Sequence, residues 1–203
     1  MKRCPQAALC LLALLALVAV PALAQDKPKE GGAPDMKAME EMMMKAAAPG
    51  PNHKVLGKSV GDWTFTNKVW MGPGEPMTSD GTMHAEWILG GRYVQSVYKG
   101  SMGGQPFEGH GMDGYDNVTS QYVGSWVDNM GTGVMTSTGT CDEAGKVCTY
   151  NSEMSDPMTG GKGTSKMILT YGEGTFKLEM FMKDPSSGAE MKTMELVAKK
   201  KGM

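Results

Sequence analysis

The chain has 203 residues, room for one domain and a leader. It carries 20 basic residues against 22 acidic ones, a net charge of −2 at pH 7. That balance argues against nucleic acid as a partner, because phosphate recognition needs a clustered surplus of Lys and Arg.

The first 24 residues read as a secretory signal peptide. Lys2 and Arg3 make a positive start, Ala7 to Val20 is apolar, and Ala22-Leu23-Ala24 is a small-x-small cleavage site before Gln25. The apolar run is shorter than the ~20 residues a spanning helix needs. The expectation is therefore a Sec-type export signal, a periplasmic or secreted protein, and no stable membrane insertion after cleavage. Removing Lys2 and Arg3 leaves 18 basic residues against 22 acidic ones, a net charge of −4.

Residues 25–51 are rich in Lys, Glu, Gly, Pro and Ala and lack strand-formers, as a flexible tether does. Inside it, DMKAMEEMMMKAA (35–47) predicts a short helix. Asp35 is its N-cap, Met36, Met39 and Met43 share one face, and Glu40, Glu41 and Lys45 are exposed. Clustered thioethers suit Cu(I), which makes copper handling one reading of this segment. A deformable apolar face that docks on a neighbour is the other.

Residues 52–203 form the main domain. Asn52 to Val60 predicts one helical turn with Val55 and Leu56 apolar and Gly57 ending it. Short strands separated by turn residues follow: Val60–Trp70, Met77–Leu89 with a bulge or bend at Gly81, Arg92–Ser101, Pro106–Tyr115, Thr119–Asn129 and Val134–Cys141. Then come Val147–Ser155, a Gly-rich loop at 156–163, Thr164–Tyr171, Thr175–Lys183, the turn Pro185-Ser186-Ser187-Gly188, and Glu190–Lys199. With no helix between them, the strands must pair antiparallel through hairpins. One open sheet of that length would leave two bare edges and an uncovered apolar face. Closure removes both problems, so an all-β, antiparallel up-and-down barrel of about ten strands is expected, with a two-sheet sandwich as the alternative. Phe176, Leu178, Met180 and Met182 would line its inside while Lys177, Glu179 and Lys183 face water.

Outside the leader only Cys141 and Cys148 remain. The six residues between them form a turn whose even length sets the cysteines opposite each other, so a disulfide is expected in an oxidising compartment. A metal site or redox dithiol is the weaker alternative, since there is no C-x-x-C and no histidine nearby.

Gly61-Asp62-Trp63, after a helical turn, resembles the G-x-W opening of lipocalin-like (calycin) barrels, in which the Trp packs at the closed end. The runs GTMHAEWILGGRYVQSVYKG, PFEGHGMDGYDN and YVGSWVDNMGTG resemble the bacterial secreted family known as domain of unknown function 1579, over Val55 to Lys200. The resemblance implies a calycin-like barrel and supplies no activity. Its lipocalin-like neighbours include haem-binding barrels in which a histidine ligates iron. Here no histidine follows His110, so a haem ligand would have to be His84, His110 or a methionine.

The densest group of reactive side chains is Phe107 to Asn129, which holds His110, Asp113, Tyr115, Asp116 and Trp126. Strand alternation puts His110 on one face and Asp113 and Tyr115 on the other, so His110 and Asp113 form no dyad. Asp116-Asn117 is a turn. Gly124-Ser125-Trp126 is not a nucleophile elbow, and Gly160 to Gly163 lacks the Lys-Ser/Thr of a phosphate cradle. No catalytic or metal-ligating residue is assigned and no cofactor is named. The chain reads as a small-molecule-binding barrel for a largely apolar ligand. Trp63, Trp87, Arg92, His110, Tyr115 and Trp126 are its candidate binding residues, helped by Phe65, Phe176 and methionines, with Arg92 or His110 fixing a polar end. Arg92 could instead pair with Glu86 at a rim. The enzymatic alternative is a hydrolase or isomerase with its site near His110.

Overall fold

A computed structural model describes residues 35–157, 159–184 and 187–202. The expected signal peptide, the first ten residues of the tether and two residues of the Pro185–Gly188 turn lie outside the described residues. The chain divides into two units, Met1–Met36 and Lys37–Met203, and the second carries the fold. Helix α1 spans Met36–Ala47 and α2 spans His53–Leu56, with a 3-10 turn at Gly57–Ser59. Ten strands follow: β1 Gly61–Val69, β2 Met77–Ile88, β3 Tyr93–Met102, β4 Gln105–Asp116, β5 Gln121–Asp128, β6 Met135–Cys141, β7 Val147–Asp156, β8 Gly161–Gly172, β9 Thr175–Lys183 and β10 Glu190–Lys200.

Each strand pairs antiparallel with the next, and β10 pairs with β1 to close the barrel. The closing seam runs from Trp63 opposite Lys200 to Val69 opposite Met194. Closure leaves no strand edge unpaired, which is why a run of hairpins with one apolar face settles as a barrel and not as an open sheet. In β1, Trp63, Phe65 and Asn67 point in, while Asp62, Thr64 and Lys68 are exposed. The outer wall carries ion pairs: Glu179 sits 2.8 Å from Lys177 and 2.6 Å from Lys192, and Lys192 is also 2.8 Å from Glu195.

Two local expectations are corrected. Of the bulge or bend expected at Gly81, no bulge forms, since the register passes unbroken between Phe65 and Gly100. A Cβ there would come within 2.3 Å of the Phe65 ring and 2.5 Å of the Lys99 carbonyl oxygen, so this glycine answers close approach. The register shift falls in β10, between Lys192 and Met194. The Gly-rich loop expected at 156–163 is also shorter, because Gly161 to Gly163 already pair with β7. Those pairs are made through the backbone, so side-chain composition does not reveal them.

One end of the barrel is plugged by α2 and the 3-10 turn. Leu56 and His53 are buried there. Trp63, 2% exposed, donates from Nε1 to the Ser59 carbonyl at 2.8 Å and packs edge-on to Phe176 with centroids 5.0 Å apart. Tyr122 donates to the Asn52 carbonyl at 3.1 Å, and Lys58 donates to the carbonyls of Ala144 and Gly145 in the β6–β7 turn. The Asn117 amide holds the end of α1 through the carbonyls of Ala46 and Ala48, at 2.9 and 2.8 Å. No residue of α1 is buried. Cys141 and Cys148 stand opposite each other on β6 and β7 and form the expected disulfide.

Candidate ligand-binding cavity

Ten strands enclose more room than side chains of this size fill, and the barrel holds a cavity of about 860 Å³. Leu56 and Ser59 from the plug form its floor. Its apolar wall comes from Phe65, Phe107, Trp126, Phe176, Leu178 and Leu196 and from methionines 83, 135, 154, 167, 180 and 194. It reaches the unplugged end, where Met102, Met130 to Val134 of the β5–β6 connection and Gly160–Gly161 at the start of β8 line it.

Glycines on β4 make room for the largest wall residue. The Trp126 indole lies across the inner face of that strand, where a Cβ at Gly109 would be 2.2 Å from the ring and one at Gly111 would be 2.6 Å from Ser96 Oγ. The ring is held by Nε1 donating to Asp128 Oδ2 at 2.7 Å, by edge-on contact with Tyr98 at 5.1 Å and by stacking on Phe107 at 6.3 Å.

A small polar set interrupts the apolar wall. Asp113 faces inward from β4, its Oδ1 against the inner face of Gly124, which Ser137 Oγ also approaches. Burial alone pushes its carboxyl up to about 6, with no hydrogen bond among the described residues to favour the charged form. Tyr98, Tyr150 and Tyr171 also line the cavity. Their phenols are pushed up first by burial and next by the Asp113 charge, so all three remain neutral donors. Asn67, 7% exposed, turns a buried Oδ1 with no hydrogen-bond partner among the described residues, and it lines the same space.

Of the six candidate binding residues, the cavity wall takes Trp126 and places the other five elsewhere. Trp63 points inward but packs against the plug at Ser59 and against Phe176, off the cavity wall. Trp87 is 38% exposed and covers Gly57, where a Cβ would lie 3.1 Å from its ring. Arg92 sits in the β2–β3 turn at the plugged end and donates to the Leu89 carbonyl at 3.1 Å. Tyr115 packs edge-on against Tyr122 and His53 at 4.9 and 5.7 Å. His110 points outward, its Nε2 3.0 Å from Glu108 Oε1. It lies on the face opposite Asp113, as strand alternation requires.

Neither of the expected polar-end groups, Arg92 or His110, therefore reaches the cavity, and Asp113 stands inside it. His84 is also outside, 2.9 Å from Asp62, and His53 is buried in the plug, so none of the three histidines lines the space where a haem would sit. Among the described residues no group of three or more His, Cys, Asp and Glu side chains is placed to hold a metal ion.

The family model described as "Protein of unknown function (DUF1579)" matches residues 48–200. The chain belongs to this family. No curated protein matches it. Among solved structures, "Crystal Structure of Rv2717c from M. tuberculosis" is similar, with a TM-score of 0.57 and 12% sequence identity over 76% of this chain and 99% of that one. At that identity the likeness establishes the barrel for this DUF1579 member and nothing about a ligand. The polar groups of its inner wall include Asp113, Asn67 and the three tyrosines. Polar residues at inward strand positions were the signal that could have found them.

Proposed function

We propose that this protein is a periplasmic or secreted small-molecule-binding barrel that encloses a largely apolar ligand. The observation that carries this reading is the cavity itself. At about 860 Å³ it lies within the roughly 300–1,000 Å³ typical of ligand sites. Its wall combines aromatic rings and adaptable methionines with a few convergent polar groups, which suits burial of an apolar body with one oriented polar end. A packed barrel of the same strand number would need larger inward residues than Gly111, Ser96 and Ser137. The disulfide supports an oxidising compartment, and the charged outer wall supports a barrel that stands in water, since lipid-facing barrels carry an apolar band.

The test is titration of the full chain with the neutral apolar fluorophore N-phenyl-1-naphthylamine. Saturable enhancement of probe emission with quenching of tryptophan is expected, because Trp126 lies in the wall. A linear, non-saturating response up to the solubility limit of the probe would overturn the reading.

A further inference from the structure

The charged groups of the cavity are all of one sign. Asp113 lies deep in the wall, and Asp128 and Asp156 lie toward the open end. Among the described residues no Lys, Arg or His lines the space. Asp128 is already used locally, with Oδ2 accepting from Trp126 and Oδ1 from the Met130 backbone at 2.9 Å. Asp156 accepts from Thr159 at 2.9 Å. Asp113 has no hydrogen-bond donor among the described residues, and the buried Oδ1 of Asn67 also lacks one. Asn67 Oδ1 is a buried acceptor and Asp113 a half-buried one on the cavity wall; an acceptor held from bulk water without a donor is costly, and a bound molecule that donates to it removes that cost.

We propose that the cavity selects an apolar molecule carrying a protonated amine, with Asp113 as its counter-ion, and discriminates against fatty acids and other apolar carboxylates. The inference rests on the binding reading above and names the polar end of its ligand. The ammonium donates to the Asp113 carboxylate in a cavity also lined by the neutral phenols of Tyr98, Tyr150 and Tyr171, which carry no competing positive charge. A carboxylate in the same position would meet three acids and no base, and its charge would oppose that of Asp113. The groups facing Asp113 from β3, β7 and β8 are the three neutral phenols, so the amine finds no competing cation there. Burial holds Asp113 up at about 6 in the free protein. An ammonium beside it lowers that value, so amine binding at pH 6 releases protons from the carboxyl.

The experiment uses dodecylamine, dodecanol and dodecanoate below their aggregation concentrations, read by tryptophan quenching of the full chain at pH 7.4. Dodecylamine is expected to bind at least tenfold more tightly than dodecanoate, with dodecanol between them. In Asp113→Asn the amine preference over the alcohol should collapse to within about twofold. Calorimetry at pH 6 in buffers of different ionisation enthalpy should show proton release with the wild type and none with the variant. Dodecanoate binding as tightly as dodecylamine, or an amine preference that survives Asp113→Asn, overturns the inference and leaves the binding barrel standing. Saturable binding of none of the three, together with no binding of N-phenyl-1-naphthylamine, overturns the binding reading and this inference with it.

Discussion

Replacing Asp113 by Asn keeps the shape of the side chain and removes its charge, which isolates the cost of keeping a carboxylate inside the barrel. In the folded chain the acid loses its proton at about 6, against an ordinary value of 3.8, and burial is the cause. As pH rises the unfolded chain ionises first, near 3.8, while the native state holds its proton until about 6. Over that interval the native state binds more protons, so wild-type stability falls relative to the variant. At 1.36 kcal/mol per pH unit the displacement amounts to about 3 kcal/mol once both states are ionised. For a domain of this size that is roughly 6–12 °C in Tm. Urea unfolding at pH 4, 5, 6, 7 and 8 should show the two proteins converging near pH 4, with Asp113→Asn ahead by about 3 kcal/mol at pH 8. Parallel stability curves, or a variant less stable at pH 8, would refute the reasoning, because either would mean that the carboxylate is solvated or partnered.

Gly109→Ala places a methyl 2.2 Å from the Trp126 ring and is expected to cost about 1–3 kcal/mol, with an altered near-UV circular dichroism signal from the displaced indole. Unchanged stability and spectrum would contradict the packing described. Replacing both Cys141 and Cys148 by Ser should lower stability by about 2 kcal/mol or less in urea unfolding, because the strand ladder already sets those positions opposite each other; loss of folding would contradict this. His110→Ala and Arg92→Ala should each leave N-phenyl-1-naphthylamine affinity within twofold of wild type, since neither side chain lines the cavity, and a large loss in either would place the ligand elsewhere. Lys192→Ala should cost about 1 kcal/mol or less, shrinking in salt. Lys177 first and then Lys192 hold Glu179 below its usual range, so that contribution is present at neutral pH and is lost as pH falls through the lowered value.

The barrel was legible in the sequence because its physics is local and repetitive. Two-residue alternation assigns faces, Gly and Pro mark turns, and a chain of hairpins with one apolar face has few ways to hide its edges. The cysteine pairing followed from the parity of one turn. The site was less legible, because alternation says which residues share a face and not how high along the barrel each lies. Trp63 and Phe65 both point inward from β1, yet the plug covers the first and the cavity reaches the second. The plug lies at the end where β1 begins because it leads straight into that strand, but how far it reaches across the barrel mouth rests on contacts such as those of Lys58 with carbonyls 86 and 87 positions later, which no local pattern announces. His110 drew notice by its chemistry, and the same alternation that turns it outward delivers Asp113 to the interior. A carboxylate at an inward strand position is the sequence feature that marks Asp113.

The central claim is that the ligand lies inside the barrel, and methyl NMR on methionine-labelled protein tests it directly. With N-phenyl-1-naphthylamine at saturation, the methyl signals of Met83, Met135, Met167 and Met180, which line the cavity, should shift. Those of Met36, Met42, Met43, Met44 and Met71, which are exposed and do not line it, should stay in place. Shifts confined to the exposed set, with the lining methyls unmoved, would contradict an interior site.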